Sequence, residues 1–380
     1  MRGVRWARTS HVGVAAAIAC VVAFAAPAAA GAGGSGAGGG KRDVTVMTQN
    51  LYLGSSLDAA LVPEITPAQF VATVAAIYGT VNATKFPLRV DKIADEITAE
   101  RPDLIGLQEV SNWTAAVTHA VPTPGEPTPP SFDFLKILTD ALASRGLHYD
   151  VVKIANHVSI APVPLVAPQF GCRTTATDCT VALQDRDVIL RNHDAAGLDL
   201  DLETAKAGNF PTQATVQLLG KPLSFDRGWA YVDGTFDGSK FRFVTTHLEV
   251  ARPEEFGDVQ EQQARELVAG PLKTLRPVIL VGDVNSAADG STTDSYFTIL
   301  RALFVDAWRT NGLKRNPGFT CCRAPLLNNP TSMLDERIDY VLTRLALPTS
   351  ADLLLGEIPT SPLPHWASDH AGLVATVRLF

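Results

Sequence analysis

The sequence predicts an α/β protein in which two mixed β-sheets pack face to face and helices cover the outer faces. Short apolar runs typical of strands occur along the chain together with amphipathic helices. Polar residues border these strands, at the carboxyl ends of the early strands but at the amino ends of the last two. They can share one edge only if the last two strands run antiparallel to the others, which disfavours an all-parallel doubly wound sheet.

The first half of the domain contains two predicted strands and one amphipathic helix. Residues 44–51 alternate between apolar and polar side chains and end in polar residues, Asn50 among them, as a strand does at a sheet edge. Residues 55–86 are predicted to be an irregular insertion with short helical pieces. Apolar residues at helical spacing predict a helix over 88–100, and the apolar run 104–107 predicts the next strand.

The second half contains further helices and several short strands. A proline-rich run at 121–130 predicts a surface loop, because proline cannot donate to regular backbone hydrogen bonds. The helices are predicted at 132–144, 258–269 and 293–304. The strands are predicted at 187–191, 214–219, 228–236, 240–247, 278–281, 338–343 and 371–379.

The amino terminus has the pattern of a secretory signal peptide. Arginines precede an apolar run at 12–26, which ends in small residues before Gly31. A retained membrane anchor would need about 20 clean apolar residues and a stop-transfer charge pattern, and a lipoprotein site at Cys20 would need a polar tether. We therefore expect cleavage after 1–30, a secreted protein, a flexible Gly-rich leader at 31–42 and one domain at 43–380.

Composition places the chain among soluble globular proteins with a sizeable core. Hydrophobic residues make up 46% and charged residues 19%, which excludes disordered and collagen-like classes. The formal net charge is −7, and loss of the three arginines in the signal would make it more negative. Overall charge therefore does not favour non-specific adhesion to nucleic acid or anionic membrane, although a basic groove or a bound cation could still recruit a phosphate.

Four cysteines remain after the signal, namely Cys172, Cys179, Cys321 and Cys322. In an exported chain they favour two disulfides that link or close these loops, with the connectivity left open. A zinc site is the alternative, but the adjacent pair Cys321 and Cys322 lacks the spacer usual between zinc-binding cysteines.

Eight polar residues border six of the apolar strand segments, and each can bind a metal ion or a phosphate group. One such border would mean little, because a single polar residue at a strand end is usually a turn residue or a cap. Their joint occurrence predicts a site at the shared edge. The residues are Asn50, Glu109, His247, Asp283, Asn285, Asp339, Asp369 and His370.

Three of these residues supply the hard oxygen ligands that Mg²⁺, Mn²⁺ or Ca²⁺ prefer, namely Asn50, Glu109 and Asp369. Asp283 and Asn285 stand two residues apart in a segment that is expected to be extended, so both side chains should face the same way. One would orient or deprotonate a water molecule, and the other would hold a phosphate oxygen.

The two histidines, His247 and His370, can donate to phosphate oxygens or exchange protons near neutral pH. Asp339 is placed to fix the ring and the charge of one of them. Together the eight residues are suited to a metal-assisted attack of water on a phosphoester.

With these motifs in this order, from Thr48-Gln49-Asn50 to Ser368-Asp369-His370, the chain resembles the endonuclease/exonuclease/phosphatase superfamily, the deoxyribonuclease I-like proteins. The resemblance covers nearly all of 43–380. It implies a four-layer α/β sandwich with divalent-metal phosphohydrolase activity, and it implies that Asn50, Glu109 and Asp369 hold the metal ion.

The resemblance also implies roles for the remaining site residues. Asp283 would activate or position water beside Asn285, Asp339 would pair with His370, and His247 would contact the scissile phosphate. The identity of the general acid and base stays open. The family's acidic partner of His247 is expected at Asp185 or Asp187, and a phosphate contact is expected at Arg186 or Arg191. The run Asp185-Arg186-Asp187 could equally be a solvated turn.

The two-histidine site favours a phosphodiester substrate over a monoester, and both nucleic acid and a phospholipid head group fit this expectation. The alternatives are a phosphomonoesterase, such as an inositol-phosphate phosphatase, and a non-catalytic secreted binding protein on the same scaffold. No obligate protein partner is expected, and the protein is expected to be a monomer. The sequence lacks the motifs of serine hydrolases, P-loop kinases and dinucleotide-dependent dehydrogenases.

Overall fold

The computed structural model of the chain describes residues 43–62, 64–118, 128–172, 178–251, 255–311, 316–359 and 363–380. The predicted signal peptide at 1–30 and leader at 31–42 lie outside the described residues, as does most of the proline-rich loop predicted at 121–130. Within the described ranges, no helix is both long enough and apolar enough to cross a membrane.

Helices and strands share the described chain. The helices are α1 (Pro67–Ala83), α2 (Phe86–Glu100), α3 (Phe134–Ser144), α4 (Glu255–Ala269) and α5 (Ser295–Arg301). The strands are β1 (Asp43–Asn50), β2 (Leu104–Gln108), β3 (Asn112–Val117), β4 (Phe132–Asp133), β5 (Tyr149–Pro164), β6 (Cys179–Asn192), β7 (Leu198–Asn209), β8 (Ala214–Leu218), β9 (Lys221–Phe225), β10 (Gly228–Phe236), β11 (Ser239–His247), β12 (Val278–Asp283), β13 (Val305–Asp306), β14 (Asp339–Arg344), β15 (Leu347–Leu354) and β16 (Gly372–Arg378).

The strands of the described chain form two large mixed sheets and one hairpin. The first sheet has eight strands in the order β15, β16, β1, β2, β6, β3 and β4, with β5 paired to β6. The second has six, in the order β13, β14, β12, β11, β10 and β7, and β8 pairs only with β9. This architecture confirms the predicted class of mixed sheets with helices.

The predicted strand directions are also confirmed. β1 runs parallel to β2 and antiparallel to β16. In the second sheet β11 runs parallel to β12, and β14 runs antiparallel to β12. The polar residues that end the early strands and those that begin the last strands therefore come to one edge.

The two sheets pack face to face through an apolar layer, in which Val44 and Val46 of β1 share a core cluster with Phe241 and Phe243 of β11. Helices α1, α2 and α3 pack on the outer face of the first sheet, and α4 and α5 pack on the outer face of the second. The result is a four-layer sandwich, stabilised by removal of these apolar faces from water.

Gly106 marks a close approach of the two sheets. A Cβ atom at this position would lie 2.3 Å from Cγ2 of Val281 and 2.7 Å from Oγ1 of Thr245, across the sandwich. Two residues further along β2, Gln108 donates from Nε2 to Oγ1 of Thr245 at 3.0 Å. The layer between the sheets thus becomes narrow and polar as it nears the edge.

Several predictions of local structure were wrong or incomplete, and strands such as β3, β7 and β15 were not predicted. The segment 55–86 is not an irregular insertion, because most of it forms the regular helix α1, which begins with a capping box between Thr66 and Gln69. The long strand β5 was not predicted. Its register against β6 shifts three times, and each shift interrupts the alternation by which a strand is recognised in a sequence.

Candidate active site

The carboxyl ends of β1, β2, β11 and β12 meet the amino ends of β14 and β16 at one edge of the sandwich. The register places Asp283 beside His247 on one side and beside Asp339 on the other. In the other sheet, Asn50 is level with Gln108, and Glu109 follows directly. The structure therefore brings the predicted site residues to a common edge through strand direction and register.

Asp283 lies at the centre of this edge and is almost fully buried. Asn50 donates from Nδ2 to Oδ2 of Asp283 at 3.2 Å, and the backbone N–H of Asn285 donates to Oδ1 at 2.9 Å. Nε2 of His247 is 3.6 Å from Oδ2, and Nε2 of His370 is 3.9 Å from it. Burial and the nearby Asp339 carboxylate raise the pKa of Asp283 well above its ordinary value, so this group can accept and release a proton near neutral pH.

His370 and Asp339 form a buried pair behind Asp283. Nδ1 of His370 is 2.8 Å from Oδ2 of Asp339, which is the pairing expected from the sequence. Burial alone would lower the pKa of His370, but the Asp339 carboxylate outweighs it, and the pKa lies well above its usual value. The ring of His370 is therefore held in its charged form, with Nε2 directed toward Asp283.

Asn285 reaches the edge by a different backbone route from the one expected. The strand β12 ends at Asp283, and Asn285 adopts a left-handed conformation with φ of 52°. Its side-chain Nδ2 donates to the carbonyl of Leu248 at 3.0 Å. The prediction of an extended segment was wrong because the chain turns immediately after the strand to bring the backbone N–H of Asn285 onto Asp283.

His247 lies beside a cation that the sequence did not predict. Nη1 of Arg227 is 3.0 Å from Nδ1 of His247, and burial followed by the charge of Arg227 holds the pKa of His247 well below its usual value. Oδ1 of Asp187 is 3.9 Å from Nδ1 of His247, but its other oxygen is 3.0 Å from Nε2 of the buried His157. His247 is therefore neutral, with Arg227 as its nearer polar neighbour.

Arg227 precedes β10, which runs antiparallel to β11, so the register of Gly228 with His247 brings the arginine to the edge. The same rule that predicted Asp339, a charged residue just before an antiparallel strand, would have found it. Its Nη2 is 3.5 Å from Oε1 of Glu249, and its Nη1 is 4.0 Å from Oδ2 of Asp185. Burial and the neighbouring Glu109 raise the pKa of Asp185 to about 7.

The two arginines suggested as phosphate contacts are engaged elsewhere. Arg186 donates to Asp133 at 2.6 Å and to the carbonyl of Val110 at 2.9 Å. Arg191 donates to Asp150 at 3.1 Å on the far part of β6. The arginine that lies at the edge, beside His247, is Arg227.

Glu109 and Asp369 offer the oxygen ligands for a divalent cation. Both carboxylates line the same cavity, and burial together with Glu109 raises the pKa of Asp369. Leu53 donates its backbone N–H to Glu109 at 2.6 Å, and the Asn50 side chain accepts from Tyr52 at 2.9 Å. This oxygen-only set of like charges fits Mg²⁺, Mn²⁺ or Ca²⁺, because a bound cation would relieve the repulsion between the carboxylates.

Two buried arginines hold the segment that carries Asp369 and His370. Arg323 donates from Nη1 to the carbonyls of Ser368 at 3.0 Å and His370 at 2.8 Å, and from Nη2 to Leu355 at 2.7 Å.

On the opposite side, Arg89 donates to the carbonyls of Leu51 and Ala367, both at 2.7 Å. The hydroxyl of Ser368 donates to the carbonyl of Asn50 at 2.7 Å. These hydrogen bonds to backbone carbonyls therefore join the end of β1 to the segment that carries Asp369 and His370.

The structure joins Cys172 to Cys179 and Cys321 to Cys322 as disulfides, which supplies the connectivity that the sequence left open. The second pair lies near the site, since both sulfurs are within 4.8 Å of a ring nitrogen of His370.

A cavity of about 810 Å³ opens next to the edge. Glu109, Asp185, Arg227 and Asp369 are among the residues that line it, so the cavity gives direct access to the proposed cation ligands and to the buried arginine. A cavity of this size accommodates a small molecule or one segment of a larger one.

Comparisons with known proteins find a family model and several solved structures that are similar to the chain. The model of the Endonuclease/Exonuclease/phosphatase family matches residues 47–370. A crystal structure of humanized D. rerio TDP2 carrying 14 mutations aligns with a TM-score of 0.52 at 13% identity, covering 89% of this chain and 99% of that one.

The human Nocturnin catalytic domain with bound sulfate anion aligns with a TM-score of 0.49 at 17% identity, over 89% of this chain and 94% of that one. The endonuclease/exonuclease/phosphatase from Beutenbergia cavernae aligns at 0.47 and 19% identity, over 89% and 72%. No curated protein sequence matches the chain.

Proposed function

The chain belongs to the endonuclease/exonuclease/phosphatase family, and on this premise we propose that it is a secreted, divalent-cation-dependent phosphodiesterase. Membership supports a phosphoesterase or nuclease-like activity. The observation that carries the finer proposal is the arrangement of Asp283 between Asn50, His247 and the charged pair of His370 and Asp339, next to two carboxylates that share a cavity.

In this proposal Glu109, Asp369 and Asn50 hold the cation, which would neutralise developing charge on the phosphate when bound. Asp283 accepts a proton from the attacking water. Two donors already hold its carboxylate in place, the Asn50 side chain and the backbone N–H of Asn285. Its raised pKa suits it to that task near neutral pH.

His370 provides positive charge and a proton donor on the same edge, because Asp339 keeps its ring charged. Arg227 adds a second positive charge beside the neutral His247, where a phosphate oxygen could accept from the guanidinium. A phosphodiester fits these donors, since a single negative charge is shared between two cationic side chains and the bound cation.

Secretion is proposed from the signal pattern at 1–30 alone, and the protein is proposed to act as a monomer without an obligate protein partner. A phosphodiesterase of this kind would meet its substrate outside the cell.

The test is turnover of bis(p-nitrophenyl) phosphate compared with p-nitrophenyl phosphate, each with Mg²⁺ and with EDTA. We expect EDTA-sensitive turnover that favours the diester, and a loss of roughly a hundredfold or more in kcat for His370→Ala. The matched control is His148→Ala, which removes an exposed histidine and should leave turnover unchanged. Turnover that persists in EDTA or in the His370→Ala variant would contradict the proposal.

A further inference from the structure

The β8–β9 hairpin contributes Val216 and Phe225 to an apolar wall of the cavity beside the active edge, and it also borders the cavity with the polar Thr215 and Gln217. Side chains alternate between the faces of a strand, and Val216 and Phe225, one from each strand, line the cavity. Leu218 and Leu223, at positions of the same alternation, line a second pocket together with Trp113. Leu218 also packs against the apolar core of the first sheet, so part of the hairpin's apolar face contacts the body of the protein while the rest borders the cavity.

Other segments continue this apolar wall. Four further apolar residues line the same cavity. They are Leu61 between β1 and α1, Val158 on β5, Val250 after β11 and Phe256 in α4. Because these side chains come from segments far apart in sequence, the apolar wall exists only in the folded protein. Ligand cavities with apolar walls and a few convergent polar groups bind ligands of matching polarity.

The polar end of the cavity is strongly acidic. A polyanion such as a nucleic-acid strand would bring several phosphates close to these carboxylates, and each would be repelled. A substrate with a single phosphate would present only the charge that a bound cation and the guanidinium can neutralise. Among the described residues that line the cavity, the charged ones are Asp58, Glu109, Asp185, Glu249 and Asp369, with Arg227 as the one cation.

We propose that the substrate is a phospholipid, a phosphodiester with one phosphate whose apolar chain lies along the wall formed by Val216, Phe225 and their neighbours. This inference rests on the proposed phosphodiesterase activity and names its substrate class. The phosphate would lie at the acidic end, between Arg227 and the cation that Glu109 and Asp369 would hold, and the apolar chain would lie along the apolar part of the same cavity.

The surroundings of the cavity suit a substrate in an aggregated lipid surface. Val62 and Val250 line the cavity and are 51% and 38% exposed, and Leu219 at the turn of the hairpin is 41% exposed. Apolar side chains in such positions can enter the acyl region of a lipid aggregate while the phosphate is drawn into the cavity.

The experiment measures binding and turnover separately. Binding of alkylphosphocholines of increasing chain length, kept below their micellar concentrations, is measured calorimetrically with Mg²⁺ present. We expect the affinity for the alkylphosphocholine to rise up to about fourfold for each methylene that packs against the apolar wall. Turnover is measured in parallel on bis(p-nitrophenyl) phosphate, on phosphatidylcholine in mixed micelles and on single-stranded DNA and RNA oligonucleotides.

Val216→Asn is the test variant, and Leu202→Asn is the matched control, because Leu202 is an exposed strand residue that does not line the cavity. We expect Val216→Asn to weaken binding of the longer alkylphosphocholines about tenfold and to raise KM for micellar lipid, with Leu202→Asn unchanged. Thermal unfolding of both variants checks that they fold, and the chain-length series on the wild type needs no variant at all.

Each outcome of these measurements either supports or overturns the proposed lipid substrate. Chain-length-dependent binding with preferential turnover of lipid supports the proposal. Turnover of bis(p-nitrophenyl) phosphate with no effect of chain length, or faster turnover of an oligonucleotide, overturns the lipid substrate but leaves the phosphodiesterase activity. Chain-length-dependent binding that Val216→Asn weakens, without turnover of any diester, supports the apolar site and overturns the activity. Absence of both binding and turnover overturns both.

Discussion

Replacement of Arg323 by methionine tests whether a buried arginine fixes the active segment. The guanidinium is almost fully buried and donates three hydrogen bonds, to the carbonyls of Ser368, His370 and Leu355. Hydrogen bonds from charged groups contribute about 1.5–3 kcal/mol each. Burial of the guanidinium itself costs several kcal/mol, which offsets part of that sum. We therefore expect Arg323→Met to lower the free energy of unfolding by about 3 kcal/mol.

The assay has two parts. Denaturant unfolding measures the loss of stability, and diester turnover as a function of Mg²⁺ concentration is measured at a temperature where the variant is folded. Since Arg323 holds the carbonyls on both sides of Asp369, we expect a higher Mg²⁺ concentration at half-maximal activity as well as lower stability. Arg323→Lys should recover part of both, because lysine keeps the charge but cannot reach three carbonyls in one plane.

The control is Arg265→Met, which removes an exposed arginine whose partners among the described residues, Gln262 and Glu261, lie on its own helix. It should change stability by less than about 0.5 kcal/mol. An unfolding free energy of Arg323→Met equal to that of the wild type would refute the energetic reasoning. A stability loss with an unchanged Mg²⁺ dependence would show that Arg323 supports the fold without positioning the site.

Three further predictions concern the charged pair, a buried acid and the close contact of the sheets. Asp339→Asn should lower the pKa of His370, so the alkaline limb of the pH–rate profile should move to lower pH and kcat/KM should fall about 10- to 100-fold. Because Asp185 ionises with a pKa of about 7 in the folded protein, its own contribution to the stability of the wild type should fall as pH rises from about 4 to 7. Asp185→Asn should therefore gain relative stability over that range, by up to about 4 kcal/mol, as followed by chemical unfolding at each pH. Gly106→Ala should destabilise by about 1–3 kcal/mol, whereas Gly79→Ala, in an open helical position, should stabilise by about 0.5–1 kcal/mol, both measured by thermal unfolding.

Distinct outcomes would contradict each of these. A pH–rate profile unchanged in Asp339→Asn would mean that the charge of His370 does not limit the reaction. A stability difference between Asp185→Asn and the wild type that does not vary with pH would mean that Asp185 is not protonated in the folded state near pH 6. Equal stability of Gly106→Ala and the wild type would mean that the two sheets can move apart to make room for the added methyl group without a loss of unfolding free energy.

The topology could be predicted from the sequence because it follows from which end of each strand is polar. Asn50 at the end of the first strand and Asp369 before the last one already required opposite strand directions, and the structure has them. Helix α1 was missed because its apolar residues are spread around the helix, which leaves little periodic contrast. Its capping box was the available signal, with Thr66 before Pro67 and Gln69 three residues after the cap.

The residues of the site differ in how far the sequence could indicate them. Side chains at strand ends carry a local signal, and Arg227 carries the same signal although it was overlooked. Arg89 and Arg323 carry none, because each acts on carbonyls that lie far away in the chain, and only the folded structure shows which carbonyls those are. A buried arginine that orders backbone segments has no pattern of neighbours that distinguishes it from a surface arginine.

The pairing of β1 with β16, the first and last strands, determines when the site can form during synthesis. Asn50 lies on β1, and Ser368, whose hydroxyl donates to its carbonyl, follows 318 residues later. A ribosome-bound chain therefore carries two of the three proposed cation ligands, Asn50 and Glu109, long before the third, Asp369, has been translated. Strand β1 likewise cannot pair with β16 until the end of the chain has been made. The proposed phosphodiesterase activity should therefore appear only once the last strand has left the ribosome, and a prematurely terminated chain that lacks β16 should be inactive.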